Sequence, residues 1–183
     1  TSEYTSGVVA INTSKVSTII SNGNILGLEY VSGVIGKSTT GSESTILGNH
    51  ANILGYKHIG GVIASAETIN VLKDMYNVGT LIISDDGSSS QSVAGVINSS
   101  TNAGLTISNI YISGSIKLIS NISTPTIKVA PLVISFAGGN ITLRNSVWLS
   151  SVINNLGSTA YSTDKAVVTT GTTTLESVAS KTS

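Results

Sequence analysis

Two histidines are the first residues in this sequence whose types could do chemistry. His50 and His58 lie eight positions apart, and with Glu29 or Glu43 they could offer nitrogen and oxygen donors to a metal ion such as zinc. Paired histidine ligands usually have about three to five residues between them, a spacing that this chain does not show. We therefore predict that both histidines are solvated turn residues and that the chain holds no metal or other cofactor.

The nine carboxylates are scattered along the chain. A glycoside hydrolase needs two carboxyl groups about 5 to 9 Å apart. Asp74 and Asp86 fall in one unit of the repeat described below, but Asp74 aligns with Asn109 of the next unit, so we expect it to make a corner hydrogen bond. Asp85 and Asp86 resemble the start of a calcium loop, yet three serines follow instead of further carboxylates. We predict no catalytic residues.

Surface chemistry is the other candidate. Tyr76 and Tyr111 occupy equivalent positions in two repeat units, so they could form a sugar-binding platform if they face outward, although we expect them to cover the edge of the core. Four Asn-x-Ser/Thr sequons are candidate glycosylation sites if the chain is secreted through a glycosylating pathway. They are Asn12, Asn98, Asn121 and Asn140.

The composition excludes several classes of protein. The 183 residues carry no net charge and only 10% charged side chains, so the basic patch of a nucleic-acid-binding protein is absent. The lack of cysteine excludes a disulfide scaffold, and no apolar run approaches the roughly 20 residues of a transmembrane helix. The chain has 53 Ser and Thr residues and 40 Ile and Val residues, which predicts an aliphatic core under a hydroxyl-rich surface. Such a surface favours an extracellular or cell-surface location.

An internal repeat organises the chain. A small residue, a glycine and two aliphatic residues recur with the glycine at positions 7, 33, 61 and 95, and with proline at position 131. The spacings of 26, 28, 34 and 36 residues define a unit of about 30 residues. Self-similarity at such a period is the signature of a solenoid.

A second element of the unit also aligns. Residues 72–81 match residues 107–116 position for position, and residues 17–27 match residues 44–55 with one inserted residue. Apolar residues alternate in these segments, which is the period of a strand. This alignment predicts that Ile19, Ile46, Met75 and Ile110 form one inward column.

These features predict an all-β protein, a right-handed parallel β-solenoid of about five coils of about 30 residues, with a β-sandwich as the alternative. We expect the solenoid domain to span residues 1–156. Residues 157–183 form a Ser/Thr-rich tail or a last irregular coil, with a short helical turn over residues 175–181. Residues 67–76, the best helical candidate, are predicted to be strand because they align with a strand of the repeat.

The units resemble the GLUG repeat of bacterial surface proteins, including large adhesins and IgA-protease-type metallopeptidases. The likeness is carried by Gly60–Ile63 followed by Leu72–Leu81, and by Ala94–Ile97 followed by Ile107–Ile116. The resemblance covers roughly residues 6–152. It implies a parallel β-helix stalk outside the cell, without catalytic residues in the repeat.

We therefore expect a non-enzymatic, extracellular structural or adhesive repeat protein: a stalk, an adhesin segment or a filament subunit. One alternative is a binding module that uses a solenoid face for glycans, and another is a carbohydrate-active β-helix enzyme. The expected partners are other copies or neighbouring repeats stacked end to end, and host or cell-surface glycans or proteins. We expect no nucleic-acid partner and no membrane span.

Overall fold

A computed structural model describes residues 3–67, 71–85, 91–98, 105–119, 127–135, 140–153, 166–169 and 171–182. In these ranges the chain is almost entirely strands, which pair in parallel and form a β-solenoid of about four turns. The predicted solenoid is confirmed, and the alternative β-sandwich is wrong.

The strands are numbered in chain order, and each of coils 1 to 4 contributes one strand, in that order, to each of four sheets, A to D. Coil 1 contains β1 (Tyr4–Ser6), β2 (Val9–Asn12), β3 (Lys15–Ser21) and β4 (Asn24–Leu26). Coil 2 contains β5 (Tyr30–Ser32), β6 (Ile35–Ser38), β7 (Glu43–Asn49) and β8 (Asn52–Gly55). Coil 3 contains β9 (His58–Gly60), β10 (Ile63–Ala66), β11 (Val71–Asn77) and β12 (Leu81–Ser84).

Coil 4 contains β13 (Ser92–Ala94), β14 (Ile97–Asn98), β15 (Leu105–Ile112) and β16 (Ile116–Ile119). Coil 5 contains β17 (Lys128–Ala130), β18 (Val133–Ser135) and β19 (Ile141–Leu149), and then a 3₁₀ helix (Ser150–Ile153) follows instead of a strand in sheet D. Four of the five predicted coils therefore have all four strands.

Two further strands lie in the predicted tail. β20 (Val167–Thr169) pairs with β18 in sheet B, and β21 (Thr173–Lys181) pairs with β19 in sheet C. The predicted helical turn over residues 175–181 is wrong, because this segment adds a strand to the free edge of β19. The predicted strand over residues 67–76 is confirmed for the part that β11 covers.

Side chains stack on their equivalents in neighbouring coils, and the inward columns make up the core. The column of Ile19 continues through Leu47 and Met75 to Ile110. Ile19 is half-buried in coil 1, and the other three are buried. The predicted inward position of Ile46 is wrong: this side chain is 54% exposed.

The error at Ile46 comes from a bend in every strand of sheet C. One residue in the middle of each strand has a positive φ of 47 to 59°. This residue interrupts the alternation, so that Leu72 and Met75 both point inward although they are three positions apart. In sheets C and D the true shift between coils 1 and 2 is 28 residues throughout, without an insertion, and it pairs Ile19 with Leu47. The bend residues are Thr18, Ile46, Asp74, Asn109, Asn145 and Ser177.

The anchor glycines of the repeat lie between sheets A and B, and they are required by lack of space. A Cβ on Gly61 would overlap the carbonyl oxygen of Gly95 in the next coil and would lie 2.6 Å from Nδ2 of Asn77. Gly33 is equally confined by Gly61 and Asn49. Glycine is required at a corner either for a positive φ or for close approach of two backbones. None of these glycines has a positive φ, so close backbone approach is the reason here.

A ladder of buried asparagines lies against this glycine column. Asn49 Nδ2 donates to Asn77 Oδ1 at 2.8 Å, and Asn77 Nδ2 donates to the Gly95 carbonyl at 3.0 Å. The Oδ1 of Asn77 also accepts from the backbone N–H of Gly79. Both asparagine side chains are fully buried, and their hydrogen bonds offset the cost of removing the amides from water.

We predict that Ile46→Asn stabilises the protein. A β-branched residue with φ near 57° is strained by about 1 to 2 kcal/mol, and asparagine, which occupies the same bend at Asn109 and Asn145, tolerates this conformation. The expected gain in the free energy of unfolding is about 1 kcal/mol, measured by denaturant titration. The matched control is Ile20→Asn, since Ile20 is similarly exposed (56%) but has an ordinary φ. An equal effect of the two substitutions would contradict the prediction.

Candidate functional surfaces

The predicted glycosylation sites differ in exposure. Asn12 and Asn98 are buried, and their amides donate hydrogen bonds to serines of the same or the next coil. A glycan on either nitrogen would require these bonds to break. Asn140 is exposed at the start of β19, and Asn121 lies outside the described residues. Modification therefore remains a prediction, and Asn140 is the described sequon whose position suits it.

Asp74 and four of the glutamates bind residues of neighbouring coils. Asp74 accepts a hydrogen bond from Asn109 at 2.7 Å, but it lies at the bend in the middle of β11 and not at the expected corner. Four glutamates form ion pairs between adjacent coils, at N–O distances of 2.8 to 3.3 Å: Lys15–Glu43, Lys37–Glu67, Lys57–Glu29 and Arg144–Glu176. Asp86 lies outside the described residues.

Hydrogen bonds to lysine shift the acidity of two of these glutamates. The ammonium of Lys57 holds the pKa of Glu29 below its usual range, and Lys37 does the same to Glu67. Such partly exposed pairs each contribute at most about 1 kcal/mol to stability, because solvent screens them. Their main effect is to hold neighbouring coils in register.

The two histidines lie in different surroundings. His50 is exposed after β7, where its Nε2 is 3.0 Å from the hydroxyl of Tyr76. His58 is in β9 on the outer side of sheet A, and it is half-buried where a solvated turn residue was predicted. The described residues contain no group of three or more His, Asp or Glu side chains placed to hold a metal ion.

An outward column on sheet A contains the aromatic residues that the sequence reasoning missed. The rings of Tyr4 and Tyr30 stack with centroids 5.0 Å apart, and those of Tyr30 and His58 stack at 4.8 Å. His58 Nδ1 lies 2.8 Å from Ser92 Oγ. We call these four residues the aromatic column. Each stands three positions before an anchor glycine, which is the signal in the sequence that could have found them.

The aromatic column ends in a polar contact that resembles part of a hydrolase site. Ser92 Oγ contacts His58 Nδ1 and also donates to Asn98 Oδ1 at 3.1 Å. A catalytic serine must reach its substrate, but Ser92 is fully buried. In a catalytic triad the third residue hydrogen-bonds the histidine and holds its orientation. Asn98 instead donates to the hydroxyl and the carbonyl of Ser92. This arrangement holds sheet A to sheet B at the corner.

Burial shifts the acidity of the aromatic column. Burial lowers the pKa of the His58 imidazole, and the nearby charge of Lys57 lowers it further, while Glu29 opposes the shift. Burial also raises the pKa of the Tyr4 and Tyr30 hydroxyls. The column is therefore most stable with neutral rings.

Tyr76 and Tyr111 are paired across β11 and β15 and lie on the outer face of sheet C. Their neighbours Met75 and Asn77 point inward, so the expectation that the tyrosines cover the core edge is wrong. The ring of Tyr76 lies over Gly48, while Tyr111 is 38% exposed. Two adjacent aromatic side chains thus face solvent.

Coil 1 has an open outer side. In the described part of the chain, β1 to β4 are the edge strands of sheets A to D. Val8 is 48% exposed and Ile19 is half-buried, whereas their equivalents in coil 2, Val34 and Leu47, are fully buried. Core-type side chains are exposed there because no coil lies on them.

Comparisons with protein-family models, with curated proteins and with solved structures find no match to this chain. No helix in the described ranges is long and apolar enough to cross a membrane.

We predict that acidification weakens the fold through His58. Its pKa is lower in the folded than in the unfolded chain, so its contribution to stability is complete above the unfolded value of about 6.5 and is lost as the pH falls through the folded value. The free energy of unfolding should therefore fall between about pH 7 and pH 5, a window above the usual pKa of glutamate.

Denaturant titration at the two pH values checks this. His58→Gln should show a smaller fall than the natural protein, whereas His50→Gln, at the exposed histidine, should keep the full fall. An unchanged pH dependence in His58→Gln would contradict the assignment to this residue.

Proposed function

We propose that the chain is a non-enzymatic structural repeat segment of an extracellular surface protein, such as a stalk, an adhesin segment or a filament subunit. The observation that carries the proposal is the parallel stacking of equivalent coils in the described residues, with core-type side chains exposed on the outer side of coil 1. Each coil contacts only its neighbours, a construction that produces length. The six strands of sheet C span about 24 Å at the usual strand spacing.

The internal contacts support a structural role. The asparagine ladder, the aromatic column and the four ion pairs all connect one coil to the next. They therefore resist sliding of the coils and leave few charged groups for substrate chemistry. The resemblance to the GLUG repeat and the hydroxyl-rich surface support an extracellular location.

The enzymatic alternative has little support among the described residues. The carboxylates of Glu29, Glu43 and Glu67 are bound to lysines, and Ser92 is buried beside His58. Both kinds of group are engaged in holding coils together. The second candidate function is glycan binding, which the outward positions of Tyr76 and Tyr111 favour, because exposed aromatic rings offer apolar faces to sugars.

Antibodies against the purified chain test the location on cells that produce it. We expect them to label intact cells, and brief protease treatment of intact cells should remove the signal. An antibody against a cytoplasmic protein, which should label only permeabilised cells, is the control. Labelling of this chain only after permeabilisation would contradict the proposal.

Immobilised polysaccharides separate the two candidates. A purely structural segment is not retained and releases no sugar. Glycan binding would instead be established if the chain is retained and Tyr111→Ala abolishes the retention. The control is Val147→Ala, one coil further in the same column, which should preserve it. Release of reducing ends would contradict the non-enzymatic assignment.

A further inference from the structure

The two ends of sheet C have the same shape and matching side chains. β3 and β21 are its edge strands, and both bend at a residue with positive φ, Thr18 in β3 and Ser177 in β21. An edge strand with unpaired N–H and C=O groups can pair with another strand. Equal bends allow the two strands to pair along their full length.

The side-chain columns are continuous from one edge to the other. The column that begins at Val16 runs through four further strands to Leu175, and the column that begins at Ile20 ends at Ala179. Val16 is half-buried and Leu175 is 51% exposed. Each is an apolar core position that lacks a neighbour on one side. In sheet B, Val9 and Val167 are likewise the first and last members of one column.

We propose that the open side of coil 1 binds the C-terminal edge of a second copy of this chain, so that β21 of one copy pairs in parallel with β3 of the next. The register of the repeat places Val16 on Leu175, Ile20 on Ala179 and Val9 on Val167. The interface continues the four-sheet stack through sheets B and C. This proposal rests on the proposed structural function and adds the identity and register of the partner.

The charges agree with a second copy as the occupant. In this register Glu176 lies opposite Ser17 and beside Lys15, so no like charges meet at the edge. The chain has zero net charge, which removes the long-range repulsion between copies. Because the C-terminal edge of one copy binds the open side of coil 1 in the next, the contact is head-to-tail. Repetition of such a contact produces a filament.

Disulfide trapping tests the register because the chain has no cysteine. Ile20→Cys and Ala179→Cys are both exposed outward positions, and paired strands bring such residues within the range of a disulfide. Within one molecule the two positions are separated by five strand spacings, about 24 Å, which excludes an internal bond.

Mixing the two single variants under mild oxidation should give a disulfide-linked dimer that contains one chain of each. A second pair in the same register, Ser17→Cys with Glu176→Cys, should also be trapped. The control is Ser17→Cys with Ala179→Cys, which is out of register by three residues and should give little product. A chain that carries Ile20→Cys and Ala179→Cys together should form a ladder of oligomers.

Several results would overturn the proposal. They are the absence of mixed dimers for both in-register pairs, equal trapping of the out-of-register control, or preferential Ile20→Cys homodimers, which would mean a head-to-head contact. Sedimentation velocity of the natural chain is the independent measurement: its mass should rise with concentration, and a monomer throughout would also overturn it. None of these results depends on the cell-surface labelling, so the two proposals fail separately.

Discussion

Between sheets A and B each coil brings its backbone against the next coil, and this contact leaves no room for a side chain. Gly33, Gly61 and Gly95 lie there in one column, each directed at the carbonyl of its successor. The amide of Asn77 lies beside Gly61 and binds the carbonyl of Gly95. The close approach therefore both requires glycine and creates the site for the asparagine ladder.

The register of the other columns follows from this contact. Once the glycines are aligned, the aliphatic side chains stack on equivalents of nearly the same size, and outward residues pair across coils. Tyr30 lies on Tyr4 and beneath His58, and Lys57 reaches Glu29 of the coil below. Among the described residues, the first coil has core-type side chains exposed on the side where no other coil packs.

The recurrent glycines and alternating aliphatic residues were enough to predict the solenoid. A crowded corner restricts the residue there to glycine, and an inward strand position favours an aliphatic residue, so both features can be recognised from residue type. The bend in sheet C is harder to recognise in the sequence, because residues as different as Ile46, Thr18 and Asn109 occupy it. An alignment by residue type therefore misplaced Ile46 by one position. The contact of Ser92 with Asn98 was not predictable, because it depends on how sheet A folds against sheet B.

The free energy of unfolding of Gly61→Ala tests the glycine contact most directly. A Cβ there would overlap the Gly95 carbonyl, so the loss should be about 3 kcal/mol or more, or the chain should lose its cooperative fold. Gly23→Ala is the comparison: Gly23 has a positive φ but no atom within 4 Å of an added Cβ, so only conformational strain of about 1 kcal/mol is expected. A loss in Gly61→Ala no larger than that in Gly23→Ala would contradict the role assigned to the glycine column.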